Sequence, residues 1–200
     1  MFALHSRRLI LRHFTDADLQ PFLGYRNDPE VARYQSWDGC SMGEATAFIR
    51  IQKSMQWGIP GQWFQIAIAL RETNLLIGDC ALQVQENDVR QATIGVTLAR
   101  SHQGFGFARE ALSSLLDYVF FELGLHRVSA NTDPQNRPAW TLFERLGLRR
   151  EAHLSQSLWF KGRWADEYLY AVLRQDWIRY RADHPPDSLQ PPPDSSSEPR

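Results

Sequence analysis

The stretch TIGVTLARSHQGFGFAREALSSLLDYVFFEL, residues 93–123, decides how this chain folds. It begins with a short apolar run, passes through a turn with two glycines, and continues as a long amphipathic segment. The pattern predicts a strand, a turn and a helix that ends at Gly124, where a left-handed cap is expected. Apolar residues mark one helical face over four turns: Ala108, Ala111, Leu112, Leu115, Leu116, Val119, Phe120 and Leu123.

The turn in this stretch, residues 103–108, has the pattern Q-x-x-G-x-A and predicts an anion site. The first N–H groups of a helix lack intrahelical partners, and the helix dipole places partial positive charge there. Small side chains at Gly104, Gly106 and Ala108 would let a phosphate approach the backbone. Arg109 could add a charge-assisted hydrogen bond. An ordinary strand-to-helix turn would also use these glycines, so that alternative stays open.

The flanking sequence predicts a mixed α/β chain. Capping residues indicate helices at about 15–26, 41–57 and 136–146, with a further turn near 30–34. Residues 1–180 are expected to form a single domain, and the proline- and serine-rich segment 184–200 a disordered tail. Gly78 marks a bulge site. Apolar alternation predicts strands, the second to fourth of which form an antiparallel meander, at residues 8–14, 63–70, 75–84, 92–98, 126–132, 149–159 and 164–173.

Composition limits the classes of function. Two hundred residues, 43% of them hydrophobic, suit one globular domain. A net charge of −1 gives no electrostatic reason to expect a nucleic acid or an anionic membrane as partner. No apolar run approaches the ~18 residues of a spanning helix and no signal peptide is evident, so a cytoplasmic location is expected. The six histidines and two cysteines lack metal-ligand spacing, so no metal is expected.

Other phosphate-binding and nucleophile motifs do not fit the glycine turn. A dinucleotide-binding motif needs a third glycine where this chain has Arg109, and it needs a βαβ unit rather than a meander. A P-loop needs Gly-Lys followed by Ser or Thr, which is absent here. The chain also has no G-x-S-x-G nucleophile elbow.

Motifs on both sides of the turn carry a resemblance to a known family. Taken together, their order and spacing resemble the GNAT-type acetyltransferases, and more narrowly the RimJ/RimL branch, which acetylates protein N-termini. The resemblance covers roughly residues 6–178. The motifs are RLILR at 8–12, NDPEV at 27–31, ATIGV at 92–96, QGFGFA at 103–108, DPQN at 133–136, LGL at 146–148, GRWAD at 162–166 and DW at 176–177.

The resemblance implies acetyl-CoA as the donor and a splayed, mostly antiparallel sheet with helices on both faces. Pantetheine would lie between strand residues 94–100 and 127–132, and a backbone N–H near residues 96–98 would polarise the thioester carbonyl. Asn136 would contact the pantetheine or phosphate arm, although it also fits a helix N-cap. The expected cofactor-binding residues are Val96, Leu98, Gln103, Gly104, Phe105, Gly106, Phe107, Ala108, Arg109, Asn131, Asn136 and Phe143.

The chain departs from the family pattern at three positions that handle protons in many relatives. Phe143 stands where a tyrosine acid is common, Ala139 where a serine is common, and Thr93 where a glutamate base is common. The candidate catalytic groups are therefore Asp79, Asp166 and Thr93, with Glu167 as a further carboxylate. The acceptor pocket is expected to involve Glu30, Tyr34, Trp37 and Trp63, each of which also fits a plain capping or packing role.

The predicted reaction is direct attack of an amine on the thioester of acetyl-CoA. A site without an obvious base suits an α-amino group of a protein or peptide better than a lysine side chain. Two alternatives stay open: an acetyltransferase for a small molecule such as an antibiotic, a polyamine or an amino acid, and a non-catalytic acyl-CoA-binding module. A homodimer through the last hairpin is also compatible with the sequence.

Overall fold

The computed structural model describes residues 3–186 as an eight-stranded sheet with helices on both faces. The predicted mixed α/β fold is thereby confirmed, whereas the predicted tail, 184–200, lies outside the described residues except for its first three. The strands are β1 Ala3–His5, β2 Leu9–Arg12, β3 Trp63–Leu70, β4 Leu76–Val84, β5 Gln91–Leu98, β6 Arg127–Thr132, β7 Arg149–Phe160 and β8 Arg163–Leu173. The helices are α1 Leu19–Arg26, α2 Pro29–Ala32, α3 Met42–Ser54, α4 Phe107–Asp117, α5 Arg137–Arg145 and α6 Arg174–Asp183.

The sheet order is β1-β2-β3-β4-β5-β6-β8-β7. Each neighbouring pair in this order is antiparallel except β5 and β6, which are parallel. The predicted meander of β3, β4 and β5 is confirmed. The single parallel contact arises because α4 carries the chain from the end of β5 back to the start of β6.

The two faces of the sheet pack against different helices. The face that we call the α4 face carries Ile66, Cys80 and Ile94, which join the buried side of α4 in the larger core cluster. The opposite face, which we call the α1–α3 face, carries Ala67 and packs with residues of α1 and α3 in a second cluster. Since successive strand residues point to opposite faces, every other residue belongs to one face in β5 and in β4 from Gly78 onwards.

Gly78 lies at the predicted irregularity in β4. The register with β3 shifts between Ile68 and Ala69, which pair with Gly78 and Leu76, so Ile77 is the extra residue. A Cβ on Gly78 would lie 2.1 Å from Thr97 O. Glycine is required here because the backbones of β4 and β5 approach too closely for any side chain.

Helix boundaries follow the capping residues, while two elements escape sequence reasoning. Gly124 has a φ of +68°, as its predicted capping role requires. The helix before it is α4 only as far as Asp117 and continues as a π-helical segment, Tyr118–Glu122. Neither β1 nor α6 was predicted, since β1 has three residues and Trp177 is the one buried residue in α6, so neither shows a hydrophobic period.

We expect Gly78→Ala to destabilise the protein by about 2–3 kcal/mol, since a new methyl group must displace the β5 backbone. Gly95→Ala is the matched control in β5, because a Cβ there would meet only Ala81 Cβ at an ordinary 3.7 Å. Urea unfolding of both variants measures the difference. Equal midpoints for the two variants would contradict the close approach.

Candidate active site

A fork between two strands forms the centre of the candidate site. Parallel pairing between β5 and β6 extends over three residue pairs and ends at Thr93 and Ser129. Beyond that point β5 continues to Leu98 and β6 to Thr132, with no further pairing between them among residues 3–186. The two strands therefore separate, and the fork opens between residues 94–98 and residues 130–132.

Backbone N–H groups of β5 point into the fork. Ala99 donates its N–H to Ile77 O of β4 at 2.8 Å. Because the backbone groups of successive residues in a strand point to alternate sides, the N–H groups of Leu98 and Val96 point away from β4. Gln103 agrees with this direction, since its Nε2 donates to Leu98 O from the other side at 3.0 Å. The fork can thus present N–H donors to an oxygen that gains negative charge.

The glycine turn leads from the fork to an open helix N-terminus. Gly104 and Gly106 have φ of +84° and +79°, in the left-handed region that favours glycine. Gly106 directly precedes α4, so residues 107–109 carry the N–H groups of the first helical turn, which lack intrahelical partners. A Cβ at Gly104 would meet no atom within 4 Å, so the backbone is accessible. This arrangement suits an anionic ligand such as a phosphate.

An arginine clamp from the N-terminal segment holds the glycine turn. Arg8 donates Nη1 to Phe105 O at 3.0 Å and Nε to Glu110 Oε2 at 2.7 Å. Glu110 is 2% exposed, and its other oxygen accepts from Arg8 N and Ser6 Oγ, both at 2.7 Å. The Arg8 guanidinium also lies 4.4 Å from the centre of the Phe107 ring. The clamp was not predicted, because the sequence separates Arg8 from Glu110 by 102 residues.

Two polar residues of the turn, both predicted to bind the cofactor, have hydrogen-bond partners within the protein. The side chain of Gln103 is engaged with Leu98 O, so it ties the turn to the fork. Arg109 donates Nη2 to Tyr180 OH at 2.9 Å, and Tyr180 OH donates to Arg145 O at 2.7 Å. The guanidinium of Arg109 therefore links α4 to α5 and α6. Anion binding at the turn would rely on backbone N–H groups.

The remaining predicted cofactor residues have different surroundings. Asn136 caps α5, accepting the Ala139 N–H through its side chain at 3.4 Å, which supports its capping role. Asn131 is exposed on β6 in the open part of the fork. Phe143 is 3% exposed and its ring centre lies 5.7 Å from that of Tyr170, which places its side chain in the core. Phe105 is exposed, whereas residues 107 and 108 pack partly against the core.

Asp79 lies on the α1–α3 face, paired in register with Thr97 of β5. Its carboxylate is 3% exposed, accepts a hydrogen bond from Tyr25 OH, and lies 3.4 Å from Arg26 Nη2. Burial raises the pKa of Asp79, while Arg26 and the Tyr25 hydrogen bond lower it. Burial and the Asp79 charge also raise the pKa of Tyr25 well above its ordinary value. These contacts assign Asp79 to an internal polar cluster on the α1–α3 face.

The two other predicted catalytic residues are already engaged. Asp166 accepts from Gln156 N at 2.9 Å and contacts His153 Nε2 at 2.6 Å. The backbone hydrogen bond and the His153 contact lower the pKa of Asp166, which makes it a weaker proton acceptor. Thr93 lies at the closed end of the fork, where its hydroxyl bonds Ser129 Oγ and accepts from Gln85 Nε2. Its position fits a role in holding the strands together.

A bridged wall closes one side of the fork on the α1–α3 face. Tyr34 OH donates to Gln135 O at 3.3 Å and so connects the end of α2 to the loop before α5. Lys161, at the turn between β7 and β8, donates Nζ to the carbonyls of Ala32 at 2.9 Å and Trp37 at 3.1 Å. It also pairs with Asp38. The turn of the last hairpin is thus fastened to the loop between α2 and α3.

The structure separates the four predicted acceptor residues. Tyr34 belongs to the bridged wall, and Trp37 lies beside it with its ring 4.3 Å from the Arg26 guanidinium carbon. Glu30 is exposed on α2, where its backbone N–H is bound by Asp28. Trp63 pairs with Gln83, which pairs with Thr93. This register places Trp63 level with the closed end of the fork, three strands away from β6.

No group of three or more His, Cys, Asp or Glu side chains within 3–186 is placed to hold a metal ion. No helix in the same part of the chain combines the length and apolar character needed to cross a membrane.

Comparison with known proteins identifies relatives of nearly full length. Residues 8–149 match the family model described as acetyltransferase (GNAT) domain. An uncharacterized N-acetyltransferase, p20, of Bacillus licheniformis is 32% identical over 178 residues, covering 88% of this chain and 99% of that protein. The crystal structure of a GNAT-family acetyltransferase from Bacillus anthracis superposes with a TM-score of 0.77 at 26% identity, covering 87% of this chain and 99% of that chain.

Two shorter matches have named acceptors of different chemistry. A spermidine N(1)-acetyltransferase of Vibrio cholerae is 33% identical over 89 residues, covering 44% of this chain and 51% of that protein. The alanine N-acetyltransferase for ribosomal protein uS5 of Escherichia coli is 32% identical over 84 residues, covering 42% of this chain and 43% of that protein. The two similarities do not distinguish a polyamine from a protein terminus.

We expect Arg8→Met to cost about 2–3 kcal/mol of stability, because it leaves the buried Glu110 carboxylate without its charged partner. Glu110→Gln and the double variant complete a double-mutant cycle, measured by urea unfolding. The double variant should lose less than the sum of the two single variants. Additive losses would contradict the clamp.

Proposed function

The chain belongs to the GNAT acetyltransferase family, and from this premise we propose that it acetylates the α-amino group of a protein or peptide, with acetyl-CoA as the donor. N-acetyl transfer to an amine follows from the family, whose members use acetyl-CoA. The choice of an α-amino acceptor is our proposal. The observation that carries it is the cationic Lys161 in the bridged wall beside the fork.

The donor would enter from the α4 face. The N–H groups of residues 107–109 would bind the pyrophosphate, because they form an accessible helix N-terminus on the same face as α4. The pantetheine arm would follow the opening between β5 and β6. The fork-facing N–H groups of Val96 and Leu98 would then polarise the thioester carbonyl. In this arrangement Gln103 and Arg109 stabilise the glycine turn and the start of α4 through their contacts within the protein, while Asn136 caps α5.

The acyl group would meet the amine on the α1–α3 face. The phosphates occupy the α4 face in this proposal, so an arm that passes through the fork emerges on the other side. There the sheet presents polar residues, including Thr97 and Asn131, and the bridged wall of Tyr34 and Lys161 limits the opening. A narrow opening suits a chain terminus, which can enter end-on.

The charge of this wall favours an α-amino group over a polyamine. A polyamine carries further positive charges besides the reacting amine and needs an acidic groove. Lys161 instead places an ammonium group at the wall, and Arg163 lies 3.7 Å from Asp133 nearby, so the acidic groups Asp38 and Asp133 are already paired with cations.

The pKa of the amine also favours an α-amino group as the acceptor. An α-amino group with a pKa of about 8 is roughly a tenth neutral at pH 7, whereas a lysine amine at about 10.4 is well below ~0.1% neutral. The usual proton-handling side chains are replaced by Thr93, Ala139 and Phe143 in this chain. A low-pKa amine needs less help from a base. The leaving thiolate also needs little help, because a thiol has a pKa near ~8.5.

Cytoplasmic location and a homodimer through β7 and β8 stay predictions. The surface that the homodimer would use carries Trp159 and Trp164, which are exposed and contact each other edge to face at 5.5 Å between ring centres.

We expect Gly104→Asp to weaken acetyl-CoA binding by at least about tenfold, since ~1.4 kcal/mol of repulsion from the phosphates suffices. Gly58→Asp, in the turn between α3 and β3, is the matched control, because Gly58 has a similar φ of +80° and equally open surroundings. Isothermal titration calorimetry with acetyl-CoA requires no acceptor. Unchanged affinity in Gly104→Asp would refute the assigned phosphate site.

We expect acetylation of free peptide N-termini to exceed that of Nα-blocked lysine peptides by about 200-fold at pH 7, which is the ratio of the neutral amine fractions at pKa values of about 8 and 10.4. The panel includes peptides with each N-terminal residue, blocked lysine peptides, and spermidine. Thiol release and mass spectrometry of the products give the rates and the modified atom. A clear preference for spermidine or for lysine side chains would overturn the proposed acceptor.

A further inference from the structure

We propose that Glu167 is the group that takes the proton from the acceptor amine, and that Asn131 and Ser157 are the positioning residues for its carboxylate. The inference rests on the proposed acetylation of an amine on the α1–α3 face of the fork. It assigns the missing base to a residue of β8.

The register of the sheet places Glu167 beside the open part of the fork. Asn131 of β6 pairs with Leu169 of β8, and it lies two residues beyond Ser129, where pairing with β5 ends. By extension of that register, Asn131 is level with Gly95, next to Val96. Glu167 Oε1 accepts from Asn131 Nδ2 at 3.4 Å. The carboxylate is therefore next to the β6 arm of the fork, at the level where the thioester carbonyl is proposed to lie.

The same register assigns Glu167 to the acceptor face. Tyr170 and Tyr168 pack against the core on the α4 face, so the odd-numbered residues of β8 in this segment point to the α1–α3 face. Glu167 shares that face with Asn131. The donor phosphates would lie on the opposite face, so Glu167 is on the side from which an amine would approach.

A bulge in β7 orients the Glu167 carboxylate and holds it by a hydrogen bond. The register between β7 and β8 shifts between Leu154 and Leu158, and Gln156 within the bulge has a φ of +47°. Ser157 in the bulge donates its hydroxyl to Glu167 Oε2 at 3.1 Å. Gln156 N bonds Asp166 on the other face instead. Bulges beside active sites commonly re-aim side chains in this way.

Glu167 differs from the two other candidate carboxylates, Asp79 and Asp166, in the groups that it contacts. Asp79 is buried next to Arg26, and Asp166 is held by His153. Glu167 is half-buried, and its hydrogen-bond donors within residues 3–186 are the neutral groups of Asn131 and Ser157. No cation among these residues forms an ion pair with it, so its charge remains available to an incoming ammonium.

The protonated amine gives one proton to the Glu167 carboxylate, directly or through one water, and becomes neutral. Its nitrogen lone pair forms a bond to the thioester carbon, and the oxygen charge is stabilised by the N–H groups of Val96 and Leu98. The C–S bond then breaks with its electron pair on sulfur. The second amine proton passes to the thiolate, and Glu167 releases its proton to water.

Glu167→Gln tests the inference, because glutamine keeps the size of the side chain but cannot accept the proton. At neutral pH kcat should fall by about 10²-fold, within the range of a positioned base. The loss should shrink at high pH, where the amine is already neutral, and acetyl-CoA affinity should be unchanged. Glu151→Gln is the matched control, since Glu151 is an exposed carboxylate of β7 paired with Arg127; it should keep wild-type kcat.

The positioning role is tested by Asn131→Ala and Ser157→Ala. Each should lower kcat less than Glu167→Gln does and should move the acidic limb of the pH–rate profile, which a merely structural role would not do. Substituting His153 of β7 or Asp166 of β8, which contact each other on the opposite face, should leave this limb in place. If Glu167→Gln fails to fold, Glu167→Asp decides: a lower kcat with the pH limb retained supports the inference.

The outcomes separate this inference from the proposed function. If the wild-type protein acetylates no amine in the panel, the proposed function fails. If the wild type is active and Glu167→Gln or Glu167→Asp keeps wild-type kcat across the pH range, the inference fails and the proposed function stands. A loss of kcat in Asp79→Asn without one in Glu167→Gln would likewise move the base to Asp79.

Discussion

The structure depends on the point at which β5 and β6 stop pairing. Buried backbone N–H and C=O groups are nearly always bonded, yet the strands separate after three residue pairs. The protein retains an opening in the middle of its sheet, and this is possible because other contacts hold each arm. Gly78 lets β4 lie directly against β5 at residues 97 and 98, and β8 pairs with all six residues of β6. The fork is therefore a rigid gap rather than a frayed edge.

The glycine turn depends on a second constraint, which comes from the other end of the chain. Its backbone conformation is available only to residues that tolerate positive φ, and such a turn has few contacts of its own. Arg8 supplies them by bonding the carbonyl of Phe105 and the buried carboxylate of Glu110 at the same time. The turn between β1 and β2 is thereby joined to the start of α4. Gln103 fixes the other end of the turn to Leu98.

The parts of this arrangement that could be predicted from the sequence are those encoded by local patterns. The meander, the amphipathic helix and the glycine caps each follow from residues close together in the chain. The arginine clamp joins residues 8 and 110, which are far apart in the sequence, so no local sequence pattern predicts it. Helix α6 has one buried residue, so it shows no hydrophobic period. Arg109 was predicted to bind an anion from its place in the first helical turn, and Phe143 to bind the cofactor from its motif position, but their side chains contact Tyr180 and Tyr170. The direction in which a side chain points, and the residue that it contacts, depend on the tertiary fold.

The proposed donor and acceptor sides differ in how they would recognise their ligands. Backbone N–H groups form the proposed phosphate site, so its position follows from glycines that permit one backbone path. Side chains form the proposed acceptor side, and the face of the sheet to which each side chain points depends on the strand register. Asp166 and Glu167 are adjacent carboxylates that point to opposite faces of the sheet. In the bulge of β7, the Gln156 N–H bonds Asp166 on one face and the Ser157 hydroxyl bonds Glu167 on the other. A sequence shows both residues but not the register that distinguishes them.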